Sequence, residues 1–443
     1  MVTGASKRSK RSWPPAMWSL SLLLFGLLAV LPAAGEQAAS SDPSHKGMLL
    51  AGGVDQFNGP MAAAEFYNFK TETFSCKFLG GVNSATGACK NTLAQARFFA
   101  SVAPLSGGAV LVAGGNAIGT TCLNSAEIYN LSTGKFTATG SMTDAHCFAH
   151  TTTVLQNGKV LITGGEDETG NLVNTADMYN PALGEFDCSG LGGADPTTGY
   201  CQSTLTDARF LDTATLLKDG RVLIAGGFDG SIVNTAELFD PVAGTFGCAG
   251  LGGSDATTGF CNNTMTDSRE NHTATLIVTG PRAGNVLIAG GLDAAGVVQQ
   301  TAELYSPTAG NFAATTSMTH ARYLHTATQL DPTYVKGGGR HPGNILITGG
   351  EDGTGTVLAT AEMYDPVALT FTKVGAMTTA RALHTAVLIT SGPKKGYVLI
   401  AGGIDNAGKT LSTAELFNPK TGQFTATGSM QVRRSSQDGT ALP

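Results

Sequence analysis

Three sets of side chains recur at fixed offsets in this chain and could carry chemistry. Aspartates stand two residues after a Gly-Gly pair at Asp55, Asp167, Asp229, Asp293, Asp352 and Asp405, and Asn116 breaks the series by one position. A carboxylate there can bind a cation or a basic partner, or it can accept N–H groups of its own turn. Arginines recur at 97, 209, 269, 322, 381 and 434. Acids recur at Glu65, Glu127, Glu237, Glu303, Glu362 and Glu415, with Asp177 in the remaining unit. One of each per unit predicts repeated internal ion pairs, which tolerate burial only in good geometry. The rival reading puts some of the arginines at a channel mouth, facing an anionic ligand. His150, His272, His325 and His384 share one position in different units. A metal needs ligands converging at about 2 Å, and one imidazole per unit does not converge that way unless all point down a narrow axis. These histidines are expected to pack, and no metal is expected.

The offsets come from a repeat. An apolar run ending in Gly-Gly occurs seven times, from MLLAGG at 48–53 to VLIAGG at 398–403. The second glycines lie 62, 50, 62, 64, 59 and 53 residues apart. Each run is followed by a phrase such as TAELYSP at 301–307, then a turn with Pro and usually Gly, then Phe74, Phe136, Phe186, Phe246, Phe312, Phe371 or Phe424. Before each later run lies a strand-like phrase such as RYLHTATQL at 322–330. Each unit therefore offers four short strands, a to d. Strand a begins at the arginine, strand b ends at Gly-Gly, strand c carries the acid and strand d the phenylalanine. Strand b is apolar throughout, as befits a strand covered on both faces. Gly is 59 of 443 residues, which suits many tight turns. The predicted fold is all-β: a seven-bladed β-propeller of four-stranded antiparallel blades. The first unit lacks a strand a, and residues 434–442 align with that phrase, placing Gln437 near the level of His384. The C-terminal strand is therefore expected to join blade one and close the ring.

The eight cysteines are even in number, which suits disulfides. Three 14-residue phrases, at 76–89, 188–201 and 248–261, begin and end in Cys. They predict bridges Cys76–Cys89, Cys188–Cys201 and Cys248–Cys261, leaving Cys122 to pair with Cys147. No CxxC pair suggests zinc.

Residues 1–35 have a basic start (Lys7, Arg8, Lys10, Arg11), an apolar run from Met17 to Leu31 and small residues at Ala33, Ala34 and Gly35. That order predicts a secretory signal peptide, with an uncleaved anchor as the alternative. Residues 36–46 then form a short linker and residues 47–443 the propeller. The expected location is secreted, periplasmic or extracellular, with no transmembrane span after cleavage. Without the leader, 23 basic residues face 33 acidic ones, a net of −10. An acidic surface repels phosphate backbones, so nucleic acid is not an expected partner. Both tryptophans, Trp13 and Trp18, lie in the leader.

The roughly 50-residue unit, with its Gly-Gly and its aromatics in strands c and d, resembles the kelch repeat. The wording Arg-x-x-His in strand a, with Asp-Gly-Arg-Val-Leu at 219–223, is similar to the propeller of galactose-oxidase-like bacterial proteins. One departure is that the strand d aromatic, commonly Trp in kelch repeats, is Phe in every copy. The resemblance implies a copper-radical oxidase as one possibility, but none of that family's copper ligands falls on a matching motif, so no site residue is carried over and no cofactor is expected. The favoured reading is a non-catalytic, monomeric interaction propeller. It would bind a protein or glycan through the face bearing the b–c and d–a loops, with the six aspartates as its binding residues. The alternatives are an enzyme acting on a sugar or other small molecule, of the galactose-oxidase-like or sialic-acid-processing kind, and a purely structural envelope protein.

Overall fold

In the computed structural model the described residues are 46–57, 59–118, 121–335, 343–436 and 438–442. The leader reading, the linker up to His45 and the placement of Gln437 lie outside them. Seven four-stranded antiparallel sheets form the blades of a propeller. In blade 6, strand a is Thr326–Gln329, strand b Ile345–Thr348, strand c Ala361–Asp365 and strand d Thr370–Lys373. The order a-b-c-d repeats in every blade, and each strand a packs beside the next around the axis. Strand a proper starts four residues after the arginine in blade 6, later than the sequence phrase suggests, because Leu324 turns the chain with a φ of 54° in between.

Ring closure follows the sequence expectation. Asp438–Leu442 pairs antiparallel with Gly47–Ala51, Ala51 opposite Asp438 and Gly47 opposite Leu442, so the last strand is strand a of blade 1.

The apolar b strands explain how blades adhere. Successive side chains of a strand point to opposite faces. Leu49 and Ala51 pack with Val102, Val110 and Tyr129 of blade 2. Met48 and Leu50, from the same strand, pack with Leu399 and Leu416 of blade 7. Each b strand thus has two buried faces and no solvent-facing alternation, while the outer d strands, such as Thr370–Lys373, are largely exposed.

Strands c and d are locked by an aromatic pair in register, such as Tyr364 opposite Phe371. The seven pairs have ring centroids 4.7–5.1 Å apart, and Phe fills the strand d place in all of them. The turn between them needs a left-handed residue. Gly310 and Gly422 supply it with φ of 66° and 71°, whereas Glu72 and Leu369 adopt φ of 58° there despite their Cβ.

The four disulfides are Cys76–Cys89, Cys122–Cys147, Cys188–Cys201 and Cys248–Cys261. The three Cys-bounded loops begin at the outer edge against the next blade. Tyr129 donates to Phe78 O at 2.7 Å, and Asn263 Nδ2 donates to Gly310 O at 2.6 Å. The chain then returns along the b–c end of its own blade, where Leu205 N–H meets Asn174 O.

Candidate interaction face

The recurring Arg and Glu form a staple inside six of the seven blades. In blade 6, Arg322 Nη1 donates to Gly349 O at 2.6 Å and Nη2 to Glu362 Oε1 at 3.0 Å. The Arg322 carbonyl accepts from Gly291 N–H of blade 5 at 2.9 Å. One residue therefore ties strand b, strand c and the neighbouring blade together. Its counterparts pair as Arg97–Glu127, Arg209–Glu237, Arg269–Glu303, Arg381–Glu415 and Arg434–Glu65. All six guanidinium groups are buried, so they do not line a channel mouth. The last pair joins residues far apart in sequence and pins the ring closure.

Blade 3 uses a different pair in the same place. His146 Nδ1 donates to Gly164 O at 2.6 Å and its Nε2 meets Asp177 Oδ2 at 3.1 Å, while its carbonyl accepts from Gly115 N–H. Both members are shorter than Arg and Glu, so the reach is preserved. Burial opposes charge on His146, but Asp177 and the Gly164 carbonyl raise its pKa overall. Asp177 goes the other way: burial raises it, and the bonds from His146 outweigh that and lower it. Sequence reading noted Asp177 but missed His146, whose signal was its place 31 residues before the acid, close to the 30 residues between Arg97 and Glu127.

The four aligned histidines pack, each against the preceding blade. His272 Nε2 reaches Thr213 Oγ1 at 3.0 Å, His325 reaches Thr273 at 3.0 Å, and His384 reaches both Thr326 and Thr348 at 3.1 Å. Burial holds His150 and His272 neutral, pushed down to about 3. Their seat requires the Gly-Gly before it: a Cβ on Gly226 would lie 2.5 Å from Arg269 O and 2.8 Å from His272 Cε1. Blade 4 has Asp212 in this seat. Both its carboxylate oxygens are buried without a hydrogen-bond partner, and burial pushes its pKa up to about 7 against the pull of Arg209.

The six loop aspartates each hold their own b–c turn. Asp352 Oδ1 accepts from Thr354 N–H at 2.8 Å and Thr356 N–H at 3.1 Å. Asp55, Asp167, Asp293 and Asp405 accept from the residues two and four positions on, and Asp229 accepts from Ser231. The structure spreads them around the ring, one per blade, and brings no two together.

What breaks the sevenfold repetition lies just inside these turns. The residue after each Gly-Gly sits against the residue after the staple in the same blade, giving Phe98–Asn116, Phe210–Phe228, Glu270–Leu292, Tyr323–Glu351, Ala382–Ile404 and Ser435–Val54. Next inward comes a ring of left-handed residues. The N–H groups of Leu211, Asn271, Leu324, Leu383 and Ser436 each donate to the corresponding carbonyl one blade back, at 3.2–3.4 Å. Leu324 and Leu383 are buried among Tyr323, Ala382 and Ile404.

Around this rim the chemistry changes from blade to blade. Blades 2–4 present aromatics: Phe98, Phe99 and Phe148 stack with centroids 4.9–5.8 Å apart, and Phe210 lies beside Phe228. Blades 5 and 6 present acids. Burial pushes Glu270 up to about 7 and also raises Glu351, whose Oε1 accepts from the Tyr323 hydroxyl at 2.9 Å. Between blades 2 and 3 a cleft of about 210 Å³ is lined by Asn116, Cys147, Phe148 and the turn from Glu166 to Gly170. It joins a b–c loop to a d–a run, and the Cys122–Cys147 bridge spans the same two segments. The b–c loops of blades 1 and 2 expose Phe57 and Ile118. Among the described residues no group of His, Cys, Asp or Glu is arranged to hold a metal, and no helix is long and apolar enough to cross a membrane.

Comparison with known families gives a match to the Kelch motif over residues 337–378 and 391–431, which fall in blades 6 and 7. No curated protein sequence matches the chain.

Proposed function

We propose, from the premise that this chain is a kelch-repeat β-propeller, that it works as an exported interaction module gripping a protein partner with its b–c and d–a loop face. Kelch propellers in general serve as protein-interaction scaffolds. Four disulfides suit an oxidising compartment, and the basic-then-apolar leader supplies the route there.

The observation that carries the choice of face is where the repeat stops repeating. The aromatic pair recurs in every blade, and the staple and the Gly-Gly seat keep one geometry with substitutions at His146–Asp177 and Asp212, as a scaffold requires. The loop-face rim differs in every blade, with aromatics, acids and exposed apolar tips side by side. A varied surface on a rigid frame is what selective binding needs. The absence of Trp beyond residue 18 weighs against a glycan, since sugar platforms favour large aromatics.

Photo-crosslinking tests the face. A crosslinking residue at Phe57 or Ile118 should capture the partner, and one at Leu183 or Val242, exposed at the opposite c–d turns, should not. Capture from the c–d side alone overturns the proposal.

A second reading, a sugar-cleaving enzyme, draws on Glu270, Tyr323 and Glu351. Two carboxyl groups whose pKa burial raises, beside a phenol, are groups of the kind that act as general acids. Hydrolysis of a glycoside library, abolished by Glu270→Gln, would favour it over the interaction module.

A further inference from the structure

We infer that the cleft between blades 2 and 3 receives the side chain of an arginine or lysine from an extended partner segment, whose adjoining carbonyl accepts from Asn116. This deepens the interaction reading and rests on it.

Asn116 is the only one of the seven residues after Gly-Gly to carry an amide. Its Oδ1 is fixed by the Phe148 N–H, which donates to it at 3.2 Å. That bond orients the amide and leaves Nδ2 as the free end. Nδ2 is fully buried with no acceptor, on a residue only 1% exposed that lines the cleft. A buried donor without a partner is costly, and a ligand oxygen relieves it.

The opposite wall has the complementary need. Three acids stand in a row at Glu166, Asp167 and Glu168, and no Lys or Arg lines the cleft. Asp167 is committed to its own turn through Thr169 and Asn171. Glu166 and Glu168 form no ion pair among the described residues. Burial, then Asp167, pushes Glu166 up to about 6, the mark of a carboxylate without a counter-charge. A cation placed between the two glutamates supplies it.

Phe148 offers an aromatic surface beside these acids, which a guanidinium covers well. The Cys122–Cys147 bridge ties the loop after Asn116 to the run that carries Phe148, and Cys147 N–H donates to Glu166 O at 2.8 Å, so the cleft is held together before binding, which lowers the ordering cost. Size selects among ligands. About 210 Å³ is below the roughly 300–1,000 Å³ of sites that enclose a whole small molecule, so the cleft fits one side chain. A sugar hydroxyl could meet Asn116 but would leave the glutamates uncompensated.

The test uses the whole protein and the blocked tripeptide acetyl-Gly-Arg-Gly-amide, with acetyl-Gly-Gln-Gly-amide as control, in ligand-observed NMR titrations. The arginine peptide should bind saturably, and Glu166→Gln or Glu168→Gln should weaken it about tenfold. Glu168 is exposed, so its variant folds even if the one at Glu166 does not. Equal binding of the glutamine peptide, affinity unchanged in both variants, or displacement of the peptide by N-acetylglucosamine each overturns the inference. With crosslinks still arising from Phe57 and Ile118, only the cleft assignment is lost. If those crosslinks vanish too, the face assignment falls with it.

Discussion

The ring has two unlike halves. From blade 1 to the loop leaving blade 4, residues 76–261 hold all eight cysteines, three inserted loops, the aromatic rim and the cleft. Blades 5–7 hold no cysteine, and both Kelch motif matches lie in blades 6 and 7. Yet the aromatic pair is built alike in both halves, and the staple and Gly-Gly seat depart from the common pattern in the decorated half, at His146–Asp177 and Asp212. The regular half shows the minimum a blade needs. The decorated half shows what can be added at loops without disturbing it: insertions that hide the repeat from a pattern, bridges that hold those insertions, and irregular chemistry at the rim.

Five experiments break or sharpen that contrast. The largest effect is expected from deleting residues 434–443, which removes strand a of blade 1 and the Arg434–Glu65 pair. The seam lies where no disulfide spans it, so the chain should lose cooperative thermal unfolding and elute as an expanded species. A truncated protein that melts like the parent would refute ring closure by this strand.

Next is Arg322→Ala, which strands Glu362 as a buried charge and should cost about 3–5 kcal/mol in urea unfolding. Arg97→Ala should cost a similar amount, because the staple does not depend on nearby disulfides. A loss below about 1 kcal/mol at both would show that the pairs only break even.

Asp212→His asks whether the odd seat in the decorated half is a defect. Burial raises Asp212 to about 7, so the folded chain keeps a proton that the unfolded chain, titrating near 3.9, has released. This group's contribution therefore falls as pH rises from about 4 to about 7, by up to about 4 kcal/mol. The histidine variant, neutral above its low folded pKa, should gain on the parent steadily over that range. Denaturant midpoints at pH 5 and pH 8 measure this, and an advantage that does not grow with pH contradicts it.

Replacing Cys188 and Cys201 by Ser should cost about 3 kcal/mol in the chain-entropy model. Hydrogen exchange should quicken in the loop between blades 3 and 4 and stay unchanged in blades 6 and 7. Uniform quickening would mean that the bridges support the whole ring. The smallest effect is a gain: Glu72→Gly should add about 1 kcal/mol by relieving a left-handed residue, seen as a higher melting temperature.

Much of the frame was legible because its causes are local and repeated seven times. The apolar b strands announce two buried faces, and the Arg and Glu series announces a pair. The 14-residue Cys phrases announce their own bridges. What stayed hidden depends on which blade adjoins which. Asn116, Phe148 and Glu166 are ordinary loop residues in sequence and become one cleft only when blades 2 and 3 are set side by side. His146 escaped notice because one inserted residue, Cys147, puts its left-handed partner Ala149 three positions on instead of two.

By itself the sequence determined the number of blades, the strand order within each, the cysteine pairing and the use of the tail as the first blade's inner strand. Period-two patterning, turn chemistry and loop length act over a few residues, and repetition multiplies their signal. Only the tertiary structure decided that the arginines are buried staples, that each loop aspartate accepts from its own turn, and that a donor and two unpaired carboxylates share one cleft. Burial and proximity across blades come from closing the ring, which no stretch of sequence encodes alone.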